Sequence, residues 1–417
     1  MKKSSAKARA VGRSQSQEFL PYSTQAIDRH DVEAVSRAVR SDFLTQGPLV
    51  DEFEKALARR VGAKYAVVVN SGTAALHLAT LALELPDGFR AATPAVSFVS
   101  SANCIVYAGG RPVFVDVEPD TAHLALERLE RVTARRKVSL IIPVHLSGQA
   151  CAMPEVARIA KACGARVLED ATHALGVNHP PARGRGRMYP VGSCRFSDCA
   201  VFSFHAIKVM TTGEGGAITT NSKRLRDRCR RLRTLGITRE PAEFATDPAT
   251  PAAEQGPWYY EMTDLGFNYR LSDMQCALGL SQLKKLDRLV KRRRDIARRY
   301  TARFAGHAAF ACPPAAQVEV SANHLYVIRL ALERLKCSRR RIFDELRAQG
   351  LGVNVHYIPI VNQPYYRRQF GTRPEKFPGA QEYYERAISI PLFPTMSRAD
   401  EERVIATVDE TTSRFLK

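Results

Sequence analysis

No stretch of the chain offers about 18 consecutive apolar residues, so no transmembrane helix is expected. The opening segment, MKKSSAKARAVGRSQSQEF, is basic and polar but has no apolar core, which excludes a secretory signal and reads as a flexible tail over residues 1–19. Aromatic residues make up only 8% of the chain, with one tryptophan, and no zinc-finger spacing or aromatic-rich basic motif occurs, so nucleic-acid binding has no motif behind it. The nine cysteines are odd in number and none has CxxC spacing. That excludes a disulfide framework, gives no metal site, and fits buried, reduced thiols in a cytoplasmic protein. No internal repeat is visible.

Acidic residues are also in short supply. Lys and Arg number 62 against 42 Asp and Glu, a formal charge of +20, which favours phosphorylated or otherwise anionic ligands. Part of the surplus sits in the tail and part in Lys284–Arg299, where Leu286, Val290 and Ile296 recur at helical spacing. The plain reading of that run is a solvated helix face; the sharper one is a basic rim that steers an anionic substrate.

What is present is ordinary for a globular protein: 417 residues, 45% hydrophobic, enough for two or three domains. Residues 28–40 place Val32, Val35 and Val39 on one helical face, and the next helix turns Phe53 and Leu57 inward. Strands are expected at 65–69, 112–115, within VSLIIPVHL, at 166–168 running into Glu169-Asp170, in CAVFSF, and at 216–220, with helices between them. This alternation predicts an α/β layered, mostly parallel sheet over residues 20–269. The stretches 179–189 and 240–257, rich in Pro, Gly or charge, read as surface loops. From 270 to 417 long helices, a strand in VIRLAL, a helix at 338–349 and a strand at 353–357 indicate a smaller α+β domain.

Three strand ends carry chemistry. Asn70-Ser71-Gly72-Thr73 opens a helix, and free N–H groups with small hydroxyl residues suit a phosphate. Glu169-Asp170 ends a second strand in a carboxylate, and Ser203-Phe204-His205-Ala206-Ile207-Lys208 ends a third in a lysine before the turn TTGEGG. Separately these are a helix cap, a structural acid and a surface lysine. Together they call for a ligand with a phosphate, a ring nitrogen that needs an anion, and a carbonyl that an amine can capture. Pyridoxal phosphate has all three, and Phe98 offers a face for its ring.

In this order SGTAALHLA, EDATHALG, SFHAIKVMTTGEGGAI and LGFNYRLSDMQCALGLSQLKKL resemble the DegT/DnrJ/StrS-type sugar-nucleotide aminotransferases, over roughly residues 20–410. The resemblance implies the fold-type-I aminotransferase architecture and a homodimer with active sites at the subunit interface. It implies that Lys208 is the Schiff-base lysine and proton carrier, and that Asp170 is the partner of the pyridine nitrogen. His173 then sits beside the ring hydroxyl, Gly72, Thr73 and Ser203 lie at the phosphate, Phe98 stacks, and Asn268 reaches the neighbouring subunit's phosphate. Lys208 argues against the dehydrating branch, which has His there. Leu146-Ser147-Gly148-Gln149 replaces a Tyr-Gly-Gln turn common in the family, so a tyrosine contact is lost.

FSFHAIK, ALGLSQLKK, NHLY and VHYIPI with QPYYRRQFG resemble more narrowly a subgroup that forms UDP-4-amino-4,6-dideoxy-N-acetyl-β-L-altrosamine for pseudaminic acid. That implies glutamate and a UDP-6-deoxy-4-keto-N-acetylhexosamine as substrates. It makes Tyr22, Asp42, Phe43, Leu44, Thr45, His356 and Tyr357 expected sugar-nucleotide contacts, along with Gly72, Ser203 and Asn268. Two alternatives stay open: another nucleotide-sugar 3- or 4-aminotransferase, or a non-catalytic regulator that keeps the fold.

Overall fold

The computed structural model describes residues 19–181, 186–245 and 256–417. Its strands in chain order are β1 (Tyr65–Val69), β2 (Arg90–Pro94), β3 (Arg111–Val115), β4 (Leu140–Ile141), β5 (Arg166–Asp170), β6 (Asn178–His179), β7 (Tyr189–Pro190), β8 (Cys199–Ser203), β9 (Gly216–Thr220), β10 (Ile237–Thr238), β11 (Glu261–Met262), β12 (Phe310–Ala311), β13 (Tyr326–Leu330) and β14 (Ala387–Ile390).

Seven of them form one sheet in the order β1-β9-β8-β5-β4-β2-β3. Only β9 runs antiparallel to its neighbours; the other six are parallel. Both faces are covered, so the strands are continuous apolar runs such as Ala66–Val69 and Ala200–Phe202. The helix Gly72–Ala82 packs on one face through Ala74, Ala75, Leu76, Leu78 and Ala79, all buried. Small residues there let the helix lie close to β1 and β8. The opposite face carries Phe53, Leu57, Phe202 and Phe204, joined by Cys276 and Leu286.

The topology decides where the chemistry goes. Because β1, β5 and β8 are parallel, their carboxyl ends share one edge of the sheet. Ser71, Asp170 and Ser203 therefore end up side by side, although 132 residues separate the first from the last.

A second core holds Ile296, Tyr300, Phe304, Tyr326, Ile328, Leu346, Ile388, Ile390 and Val404 around the sheet β12-β13-β14. Leu20 joins it, through a bridge to Leu351. The helix Asp273–Lys284 packs against Pro48–Val61 instead, and at Gly279 a Cβ would lie 2.6 Å from the Phe53 ring.

Several expectations are corrected. Val32 and Val39 are 57% and 53% exposed, while Asp31 and Ala38 face inward. The reason is polar: the Asp31 carboxylate accepts from Ser281 Oγ at 2.7 Å and Gln282 Nε2 at 2.8 Å, and Lys285 closes the cluster. Within VSLIIPVHL only Leu140–Ile141 is regular strand. Residues 353–357 form no strand beyond a bridge from Asn354 to Ser389, and the third strand of the small sheet is Ala387–Ile390. Of the two expected loops, 182–185 and 246–255 lie outside the described residues, while β6 and β7 pair antiparallel at the flanks of the first.

The basic run Lys284–Arg299 is solvated on one face only, with Lys284, Arg288, Lys291 and Arg298 exposed, while its other arginines turn inward. Arg293 is 0% exposed and its guanidinium donates to the carbonyls of Leu392 (3.0 Å) and His324 (3.3 Å). Arg294 donates to Ser321 O at 2.9 Å, and Arg292 and Arg299 both pair with the buried Glu401. The run holds the second core to the first. Among the described residues no helix is long and apolar enough to cross a membrane.

Candidate active site

At the carboxyl edge of the sheet lies a cavity of about 540 Å³, into which Lys208, Asp170, Gly72, Thr73, Ser203, His173 and Phe98 all face. Tyr22, His356 and Tyr357 complete it from the small unit. A larger cavity, about 860 Å³, lies between Arg29–Val39 and Asp273–Lys284 and is lined by Asp28, Arg37, Phe43 and Lys284 among others. We take the smaller one as the site, because the lysine and the strand-end carboxylate converge there.

The phosphate end is built by the turn after β1. Ser71 caps the helix Gly72–Ala82 by accepting from Ala74 N at 3.0 Å, and the N–H groups of Gly72 and Thr73 find no acceptor among the described residues. Unpaired N–H groups at an 11-residue helix favour an anion. Thr73 Oγ1 meets Ser100 Oγ at 2.7 Å. A Cβ on Gly72 would lie 2.9 Å from Ser203 Cβ, and one on Gly216 would lie 2.5 Å from Ser71 O, so both glycines are demanded by close approach.

Asp170 is buried at the end of β5. Its Oδ2 accepts from Ser101 Oγ at 2.6 Å and its Oδ1 from Thr172 N and Oγ1 at 3.2 and 2.7 Å. Three donors hold the carboxylate in one orientation.

Among the described residues no carboxylate lies within ion-pair distance of Lys208 Nζ. Burial pushes its pKa down to about 8, and the attraction of Asp170 only partly opposes this. A lysine with that pKa keeps roughly a tenth of its amine neutral at pH 7, as a nucleophile or base requires. His173 is buried against His324, with ring centroids 4.3 Å apart. Burial first, then the charges of Lys208 and His356, hold its pKa well below the usual histidine value, so the imidazole is neutral. Phe98 is 54% exposed at the mouth, with its ring 5.8 Å from that of Tyr357.

These residues fit pyridoxal phosphate: unpaired helix N–H groups for the phosphate, a fixed carboxylate for the ring nitrogen, an amine without a salt bridge for the carbonyl. Not every expected contact is in this cavity. Asp42, Phe43, Leu44 and Thr45 form an exposed turn whose carbonyls at Leu44 and Thr45 accept from Asp273 N. Asn268 is exposed beside a bridge to Thr234. None of the five lines the cavity of its own chain.

Sequence reasoning missed Ser101, Thr172 and His324 as site residues. Thr172 had a local signal, a hydroxyl two residues after an aspartate. Ser101 had a weaker one, its place a turn beyond Phe98. His324 had only its place in NHLY among the segments of the narrower resemblance, since packing of the small unit is what brings it to His173.

Parallel strands, a lysine and carboxylate at their carboxyl ends, and a small unit closing over them define a pyridoxal-phosphate enzyme of fold type I. The chain belongs to the DegT/DnrJ/EryC1/StrS aminotransferase family, whose sequence profile matches residues 25–409. It is 38% identical to the spore coat polysaccharide biosynthesis protein SpsC of Bacillus subtilis, over 94% of this chain and 96% of that one. It is 34% identical to the UDP-4-amino-4,6-dideoxy-N-acetyl-β-L-altrosamine transaminase of Campylobacter jejuni, with the same coverage. Among solved structures, the Helicobacter pylori aminotransferase PseC, of pseudaminic acid biosynthesis, superposes with a TM-score of 0.84 at 30% identity, over 95% of this chain and 100% of that one. The PLP form of a putative sugar aminotransferase from Streptococcus pneumoniae, Spr1654, gives 0.82 at 27% identity, over 96% and 100%. The expected family, fold type and aminotransferase class hold.

Proposed function

We propose that this enzyme moves an amino group from glutamate to C4 of a UDP-6-deoxy-4-keto-N-acetylhexosamine. The observation that carries the reading is the meeting of Lys208, Asp170 and the Gly72–Thr73 helix end in one cavity. The sugar rests on the likeness to the Campylobacter and Helicobacter proteins. The greater identity to SpsC favours a second reading, amination of a different nucleotide sugar, in which the same machinery serves another hexose.

Pyridoxal phosphate, when bound, would supply a carbonyl carbon that takes the amino group from one substrate and yields it to the next, and a ring that withdraws electrons. The chain's own residues do the rest. Lys208 Nζ would hold the cofactor's carbonyl carbon and, as a free amine, would serve as the site's proton carrier. Asp170 would pair with the ring nitrogen and favour its protonated form. The Gly72 and Thr73 N–H groups, with the Thr73 and Ser203 hydroxyls, would hold the phosphate in the cavity that Lys208 also lines. His173, neutral, donates or accepts at the ring hydroxyl without adding a charge. Tyr22, His356 and Tyr357 border the space left for the sugar.

The working unit is a homodimer in this reading. Asp42–Thr45 and Asn268 are solvent-exposed on their own chain, and Phe43, Leu44, Met262 and Leu265 present exposed apolar side chains near them in sequence. A second copy would cover these side chains and bring Asn268 to the neighbouring phosphate. Mixing Lys208→Ala with Asn268→Ala protomers, each inactive alone, should restore part of the activity, since one site per heterodimer is whole. Proven subunit exchange without recovery rejects the shared site. Turnover with glutamate across several UDP- and dTDP-keto sugars, with the aminated carbon located by NMR, decides between the two sugar readings.

A further inference from the structure

On the strand that carries Asp170, the preceding residue faces the other way. Glu169 is fully buried, and with it the side chains of His145 and His179. His145 Nε2 lies 3.1 Å and His179 Nε2 3.2 Å from the same carboxylate oxygen, Oε2, and Ser197 Oγ donates to Oε1. None of the four lines the Lys208 cavity. Burying a carboxylate is costly unless hydrogen bonds or opposite charges compensate, so a cluster of this kind behind an active site asks for a reason.

Two histidines and a glutamate whose ligand atoms all lie within 4.8 Å of one another match the chemistry of a zinc site. The tautomer of His145 opposes that. Its Nδ1 accepts from the Cys151 N–H at 3.1 Å, so Nδ1 carries no proton. A neutral imidazole then carries its proton on Nε2 and donates it to Glu169. A metal at Nε2 would require that this ring lose its last proton or let go of Cys151.

The main chain shows what the cluster holds. Regular strand β4 stops at Ile141, yet the next residues stay attached to β5. Asp170 N donates to Pro143 O at 2.9 Å, and His145 N donates to Asp170 O at 3.0 Å. His145 thus grips Asp170 by its backbone, while its ring ties the same segment to Glu169 on one side and Cys151 on the other.

We propose that Glu169 and His145 are positioning residues, a hydrogen-bonded clamp on the far face of the sheet that fixes the main chain of Asp170 and so the aim of its carboxylate. The inference rests on the reading of Asp170 as the partner of the cofactor's ring nitrogen. Its test begins in the cofactor-free protein, where that reading plays no part.

Hydrogen exchange is measured by mass spectrometry on the full cofactor-free chain, in peptides covering 143–151 and 168–172, with peptides covering 326–330 and 387–390 as controls. Glu169→Ala should speed local exchange by about tenfold or more and leave the controls unchanged, as loss of a buried charge-assisted hydrogen bond requires. The affinity for pyridoxal phosphate, titrated by absorbance, should fall by about tenfold, by the same loss of order. Glu169→Gln should restore both to within about threefold, because its amide oxygen still accepts from His145 Nε2. If Glu169→Ala does not fold, Glu169→Asp, one methylene shorter, is compared with Glu169→Gln in the same two measurements and should show the local loss. The clamp is overturned by unchanged local exchange in the alanine or aspartate variant. It is overturned equally if Gln fails as badly as Ala, which would make the charge and not the hydrogen bond the operative feature. One zinc per chain, lost on chelation and on Glu169→Ala, also overturns it. Asp170→Asn with normal cofactor affinity and turnover would sink the reading of Asp170 while leaving the exchange result intact, so the two failures are distinguishable.

Discussion

Among the described residues, two cations without a carboxylate partner sit under opposite terms, Arg293 fully buried and Lys208 half-buried on the cavity wall. Arg293, in the helix Leu286–Phe304, has no carboxylate partner but donates to backbone carbonyls from two segments. Burial lowers its pKa only to about 10, so it stays charged and structural. Lys208, at the carboxyl edge of the sheet, has neither a salt bridge nor a carbonyl cradle, and burial brings it down to about 8. Burial alone therefore does not make a reactive group. What matters is whether the intrinsic pKa is within reach of neutrality, which an ammonium allows and a guanidinium does not.

The sharpest way to break the contrast is to remove both cations. Lys208→Ala should lower kcat by about four orders of magnitude or more, since both the covalent anchor and the proton carrier go. The absorbance of the lysine-linked cofactor above 400 nm should vanish as well. A variant with near-normal turnover would return Lys208 to the status of a surface lysine. Arg293→Ala should do the reverse, unfolding the chain more easily by about 3 kcal/mol because three carbonyls lose their donor, with kcat in the folded fraction within about threefold. Denaturant melts and steady-state kinetics on one preparation separate the two effects.

Asp170→Asn should come next, lowering kcat by about a hundredfold while the melting temperature stays within a few degrees, since Thr172 keeps the amide oxygen and the Ser101 hydroxyl can turn to accept from the amide N–H and donate to Ser97 Oγ. Unchanged rates of both half-reactions would remove Asp170 from its assigned role.

The smallest effect concerns stability. Lys208 carries a folded pKa near 8 against about 10.4 unfolded, so between those values the unfolded chain binds more protons. Its contribution to the stability of the cofactor-free protein therefore rises with pH across that window. Lys208→Met should stabilise the cofactor-free protein by on the order of 1 kcal/mol at pH 7, an advantage that shrinks by pH 10. Melts at pH 7, 8.5 and 10 read it; an advantage that grows with pH would mean the amine is held charged.

The arginine run also ends one idea about charge. Arg292, Arg293 and Arg294 bind Glu401 and main-chain carbonyls, so replacing them would perturb packing before it could report on substrate steering. A test of steering falls instead on the exposed Lys284, Arg288 and Lys291 of that run.

Much was determined by the sequence alone, because it depends on neighbours in the chain. The valines of β1, the Ser71 cap, Asp170 with Thr172 two residues on, and Lys208 before its glycine turn are local arrangements, and strand periodicity together with turn residues placed them. Only the tertiary structure decided which strand lies beside which, and so joined Ser71, Asp170 and Ser203 along one edge. It also decided which face of Arg29–Val39 is wet, because Ser281, Gln282 and Lys285, some 250 residues away, bind Asp31. Arg293, His324 and the Glu169–His145 pair stayed illegible for the same physical reason. A side chain's period tells which partners share its face, whereas its hydrogen bonds, its burial and hence its pKa come from groups that only the folded chain brings near.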